Sequence, residues 1–129
     1  MGILTTTPAD ALGYLVEAAS YTYEASSAVQ NDVAPMINVK AGWTVVDVIA
    51  DYDSLGANSA ITVGDGGAAA RFITSTATTS AGVARMNAAA DVGRFYKYTA
   101  DDTIDVTFSG SGGGTGTVTL TILFIRDFR

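Results

Sequence analysis

Three carboxylates, Asp101, Asp102 and Asp105, fall within five residues of the stretch YTADDTIDVTFSG, in a chain with no histidine and no cysteine. Acid–base or metal chemistry needs such groups to converge on one point. The period of a strand instead sends Asp105 to the solvated face and leaves Asp101 and Asp102 where a turn enters that strand. A calcium loop would need ligands at alternate positions, a glycine turn and a closing glutamate, and this stretch supplies none of that arrangement. The three aspartates therefore read as turn and surface residues.

Two glycine-rich stretches invite a phosphate-binding reading. VGDGGAAARF lacks the Lys-Ser/Thr ending of a P-loop and runs on into strand-like sequence. Gly64, Gly66 and Gly67 are expected to supply positive φ in a turn around Asp65, with Arg71 within reach of Asp65 or Asp51. SGSGGGTGT has no regular dinucleotide spacing and no helix after it, and reads as a mobile hairpin loop between the last two strands. For nucleophilic catalysis the chain offers serines and threonines but no histidine, and neither Lys40 nor Lys97 lies in an S-x-x-K setting. No catalytic, cofactor-binding or metal-binding residue is expected, and the protein reads as a non-enzyme. Trp43, Tyr52, Phe95, Tyr96 and Tyr98 would suit either a sugar-stacking platform or the core of a strand protein. A third possibility is calcium held by Asp51, Asp53, Asp65 and Asp101.

The elements that would position these groups are mostly strands. GWTVVDVIADY alternates, with Val46, Val48, Ala50 and Tyr52 on one face and Asp47 and Asp51 on the other. TIDVTF turns Ile104, Val106 and Phe108 inward, and TVTLTILFI does the same for Val118, Leu120, Ile122 and Phe124. SYTYEA puts Tyr21 and Tyr23 on one face. Shorter runs (VAPMINV, AITVG, ARFIT, GVARMN and RFYKYT) bring the count to about nine strands, and Pro35 marks the first of these as an edge strand or a bulge. Turn signals lie between them. The reading is all-β: an antiparallel, jelly-roll-like sandwich over residues 20–129, preceded by an arm over residues 1–19. In that arm Thr7, Pro8 and Asp10 signal a short helix over about residues 8–18, with Leu12, Leu15 and Val16 on one face. The last strand turns apolar on its outer side at Leu123 and Ile125, which calls for cover by the N-terminal segment or by another subunit.

Composition narrows the partners. The chain has 129 residues, one domain's worth, and a formal net charge of −6 with its seven Lys and Arg scattered. Such a surface repels phosphate backbones, so nucleic acid is not an expected partner. Its apolar runs are far shorter than the ~18 residues of a membrane span, so a membrane is not one either.

Three stretches then carry a resemblance. AITVGDGGAAARFI, YKYTADDTIDVTFSG with its glycine-rich loop and terminal VTLTILFI, and PMINVKAGWTVVDVIADYDSLG are similar, in matching order over residues 20–126, to small virion proteins of tailed bacteriophages. The resemblance implies a capsid decoration (cement) protein, acting as a homotrimer on the major capsid protein at the capsid exterior and made in the host cytoplasm. It implies no catalytic residue and leaves residues 1–19 outside the match. On that reading Leu12, Tyr14, Leu15 and Val16 of the arm, together with Leu123 and Ile125, are the expected capsid or subunit contacts. The alternative is a head-fibre or tail module recognising host glycans through exposed aromatics.

Overall fold

The computed structural model describes residues 15–87 and 93–126. Nine strands are found among them: β1 (Val16–Ala28), β2 (Val33–Val39), β3 (Thr44–Tyr52), β4 (Ala60–Gly64), β5 (Ile73–Ala77), β6 (Gly82–Arg85), β7 (Tyr96–Lys97), β8 (Asp102–Phe108) and β9 (Gly114–Ile125). They form two antiparallel sheets, one ordered β1-β9-β3-β6 with β7 also paired to β3, the other ordered β2-β8-β4-β5. The pairings β1–β9, β2–β8, β3–β6 and β4–β5 fold the chain back on itself as one long ribbon. The pairings β3–β9 and β4–β8 then roll that ribbon up. This is a jelly roll, the sandwich the alternating sequence predicts.

The core is the shared inner face of the two sheets. Val118, Leu120, Ile122 and Phe124 of β9 meet Ile104, Val106 and Phe108 of β8, all of them buried as the alternation requires. Phe72, Ile61 and Val63 fill the end around β4. In β3 the expected face is only half right. Val48 and Ala50 are fully buried, but Val45 is buried in place of Val46. The register slips between Val45 and Asp47, and one extra residue in a strand reverses the alternation on either side of it. Pro35 stands where the sequence placed it, on an edge strand and beside a register shift.

Three expectations need correction. The helix expected to run to residue 18 gives way to β1 from Val16 onward, where pairing of Val16 with Ile125 and Ala18 with Leu123 overrides the local helix signals. Its earlier part lies outside the described residues.

The segment before β9 is not a hairpin loop, because β8 and β9 belong to opposite sheets and residues 109–113 cross between them. It is also tied down: Ser109 donates its N–H to the Ala60 carbonyl and Gly112 to the Asn58 carbonyl, at 2.9 Å each. A Cβ on Gly112 would stand 1.9 Å from the Ala57 carbonyl oxygen, so glycine is there for close approach.

Nor do Gly64, Gly66 and Gly67 have positive φ. Gly64 is needed because a Cβ there would meet the Ala68 carbonyl oxygen at 2.1 Å.

Candidate interaction surface

The aspartates of the opening stretch do not converge. Asp101 accepts the Ala41 N–H at 2.9 Å and lies 3.7 Å from the exposed Lys40 ammonium. Asp102 accepts the N–H of Thr103 at 2.7 Å, fixing the start of β8. Asp105 lies on the outer face of β8 and accepts the Thr103 hydroxyl at 2.6 Å. Burial pushes the Asp105 carboxyl up, the Thr103 hydroxyl opposes this, and the charges of Asp102 and Asp65 add to the rise.

A carboxyl whose folded pKa lies above its unfolded one favours the fold below the unfolded value and penalises it as pH rises through the folded value. Asp105→Asn is therefore expected to stabilise the protein modestly at pH 7. The gain should shrink toward zero below about pH 4, where the wild-type carboxyl is protonated in both states. Urea unfolding at pH 7 and pH 3.5 checks it, and an equal or larger gain at pH 3.5 would count against the argument.

Asp65 has a structural role. Its side chain is buried and accepts five hydrogen bonds. The Gly67 and Ala68 N–H groups donate to Oδ1 at 3.0 Å each, Arg71 donates at 2.7 Å and 3.2 Å, and the Tyr98 hydroxyl donates at 2.8 Å. The Arg71 guanidinium stacks 3.8 Å from the centre of the Tyr96 ring, and Tyr96 meets Tyr98 edge-on. Burial pushes the Asp65 pKa up, but the donors outweigh it and leave the carboxyl below its ordinary value. Tyr98 is pushed far up by burial and by Asp65, so its hydroxyl stays a donor. Of the two partners expected for Arg71, Asp65 is the one found. With every lone pair engaged, this carboxylate has nothing left for a ligand.

The other constellations disperse. Asp51 and Asp53 line an open depression with Tyr52, Thr117 and Thr119, while Asp65 is buried and Asp101 caps a turn. Those four aspartates do not form one site. Trp43 stacks on Phe124 with ring centres 4.4 Å apart, Tyr98 is buried, and Tyr96 lies beneath Arg71. Of the five aromatics weighed for sugar stacking, Phe95 is the one that is largely exposed, at 59%.

What does assemble is an apolar patch on the outer face of the β1-β9-β3-β6 sheet. Ile125 of β9 is flanked by Val16 of β1, and Leu123 by Ala18. Leu15 and Val16 are 61% and 48% exposed, high values for large apolar side chains, and Leu123 and Ile125 are half-buried. The four described members of the expected contact set thus share one end of one sheet, while Leu12 and Tyr14 lie outside the described residues. Val16 lies beside Ile125 in the plane of the sheet and does not cover it. On the β3 side Leu123 faces Asp47 and Thr121 faces Ile49, an outward apolar residue that sequence reading left unnamed between Asp47 and Asp51.

Farther along, the same face turns polar. Ser20 and Thr121 share a hydroxyl hydrogen bond at 3.0 Å, Thr22 and Thr119 one at 2.9 Å, and Thr117 donates to Glu24 at 2.9 Å. An apolar patch grading into a hydroxyl ladder on the outer face of a sheet can bind another protein surface.

No protein-family model matches the sequence, and no curated protein matches it. Solved structures do. A chain of the capsid of Ralstonia phage GP4 superposes with a TM-score of 0.74 at 18% identity, over 99% of this chain and 94% of that one. A chain of the cyanophage Pam1 capsid asymmetric unit gives 0.73 at 18% identity, over 96% and 94%. A chain from the acid-stable capsid of the Helicobacter pylori bacteriophage KHP30 gives 0.67 at 12% identity, over 88% and 90%. At these identities the likeness is one of fold, and it runs nearly end to end in both partners of each comparison.

Proposed function

We propose that the chain is a structural protein of a bacteriophage virion, a capsid decoration protein that binds the major capsid protein on the outer shell and stabilises the head. The observation that carries this reading is the near-complete overlap with chains from three phage capsids, each consisting of little besides this sandwich. The net charge of −6 favours the exterior, because packaged DNA would repel the chain from the inside. The apolar patch around Leu123 and Ile125 supplies surface for the shell. Stabilisation of the head would then follow from mass action, since a ligand that binds only the assembled shell shifts the equilibrium toward it.

The test is to add purified protein to phage heads assembled without it, and to follow occupancy by cryo-electron microscopy and head disruption by heating. Ordered density on the outer surface and a higher disruption temperature are expected. Absence of density, or binding to a glycan array with none to heads, would overturn the reading in favour of a fibre or tail module.

A further inference from the structure

The four ends of the two sheets are treated differently. β6 has four residues and β5 five, too short to template much pairing. β2 carries Pro35 and a register shift next to it. Among the described residues β1 is long and free of proline, and its one register shift falls beyond Ala25. From Val16 opposite Ile125 to Ala25 opposite Gly116 its register with β9 is unbroken, which leaves about 30 Å of regular edge. It holds no lysine and no proline. Its two carboxylates are already engaged within the chain, Glu17 with Arg126 at 2.6 Å and Glu24 with the Thr117 hydroxyl. Natural proteins rarely leave so long an edge undefended unless a strand is meant to pair with it.

We infer that β1 pairs antiparallel with β1 of a second copy of this chain, about a two-fold axis at Tyr21. Facing residues of an antiparallel pair point to the same side, so the axis must fall on a residue position to keep both outer faces together. Centred on Tyr21, the strand is its own complement. The two exposed Tyr21 rings meet, Ala19 faces Tyr23, Glu17 faces Ala25 and Glu24 faces Ala18, so small residues oppose large ones and no two carboxylates oppose. Ser20 faces Thr22, which joins the hydroxyl ladders of the two outer faces into one.

Such a pair makes about ten main-chain hydrogen bonds, as many as a typical protein interface carries. The homotrimer implied by the family resemblance would require β1 to meet a different edge of its neighbour, and those edges are short or broken by proline. The inference does not depend on the decoration role.

The test uses the full chain, which has no cysteine of its own. Sedimentation should give a dimer, and Tyr21→Lys should shift it to monomer. Under mild oxidation Tyr21→Cys should cross-link nearly completely, because directly opposed Cβ atoms lie about 4.5–5.5 Å apart. Thr22→Cys should not, since its two thiols would be diagonal at about 7–8 Å. A monomer at tens of micromolar, a trimer, or a dimer whose Tyr21→Cys form stays unlinked would each overturn the proposal. Equal cross-linking of the two cysteine variants would overturn the register. A monomer that pairs only with shell protein would assign the edge to that partner instead.

Discussion

Asp65→Ala is expected to destabilise the protein by about 3–5 kcal/mol, the range found when one member of a buried ion pair is removed. The cost lies in what is left behind. Arg71, with its side chain 13% exposed, would lose the partner of its two donated hydrogen bonds, the Tyr98 hydroxyl and the Gly67 N–H would lose the acceptor they have here, and the Ala68 N–H would keep only the Asp65 carbonyl. Against a total stability of about 5–15 kcal/mol for a domain of this size, that is about a fifth of it or more. Tyr98→Phe removes only one donor to a charged acceptor and should cost about 1.5–3 kcal/mol. Urea unfolding of the three proteins checks the order, and an Asp65→Ala loss no larger than the Tyr98→Phe loss would refute the assignment of Asp65 as the hub.

The pH dependence follows with its sign. The folded pKa of Asp65 lies below the unfolded one, so its contribution is present above about pH 4 and is lost as pH falls through the folded value. The gap between wild type and Asp65→Ala should therefore narrow in acid. Asp105, raised by burial, acts in the opposite sense and on the other side of about pH 4, its penalty growing as pH rises through the folded value.

How far the sequence discloses this molecule depends on the range of the interaction that decides each feature. β8 and β9 are legible because strict alternation is local: every residue expected inside them is buried. β3 is legible up to its bulge. The choice between Val45 and Val46 is made by pairing with Phe124 and Leu123, some eighty residues away, and no local pattern encodes it. The same distance hides the crossing at residues 109–113, where glycines that suggest a mobile tip are instead the only residues small enough to lie against Ala57 and Asn58.

The Asp65–Arg71 pair was readable from a six-residue spacing, but Tyr98, which completes it, arrives from the far side of the fold. Likewise Leu123 and Ile125 announce an uncovered face on their own strand. That Val16 and Ala18 extend it follows only from the β1–β9 register. Local signals favoured helix for residues 16–18 because the partner strand was out of view.

Joint substitution of Leu123 and Ile125 by lysine should reduce binding to phage heads by more than about 100-fold while leaving the sandwich folded. Both side chains sit on the outer face, half-buried among outer-face neighbours, so the core on the opposite side of β9 is untouched. An apolar side chain of this size is worth about 1.5–3 kcal/mol when fully buried. Completing the burial of two half-covered ones is therefore worth about 2 kcal/mol, and a lysine forced into the same contact adds a desolvation cost. At 1.4 kcal/mol per factor of ten, the two terms together exceed about two decades.

Val83→Lys, on the same face but on β6 opposite Asp51, is the matched control and should bind as wild type. Deletion of residues 1–14 tests the arm. It should weaken head binding through loss of Leu12 and Tyr14 and leave the unfolding midpoint unchanged, whereas a cut at residue 19 would remove four residues of β1 and confound the two effects. If the double lysine variant saturates heads at wild-type concentrations, the shell contacts another face. If only the deletion weakens binding, the arm carries the attachment without the patch.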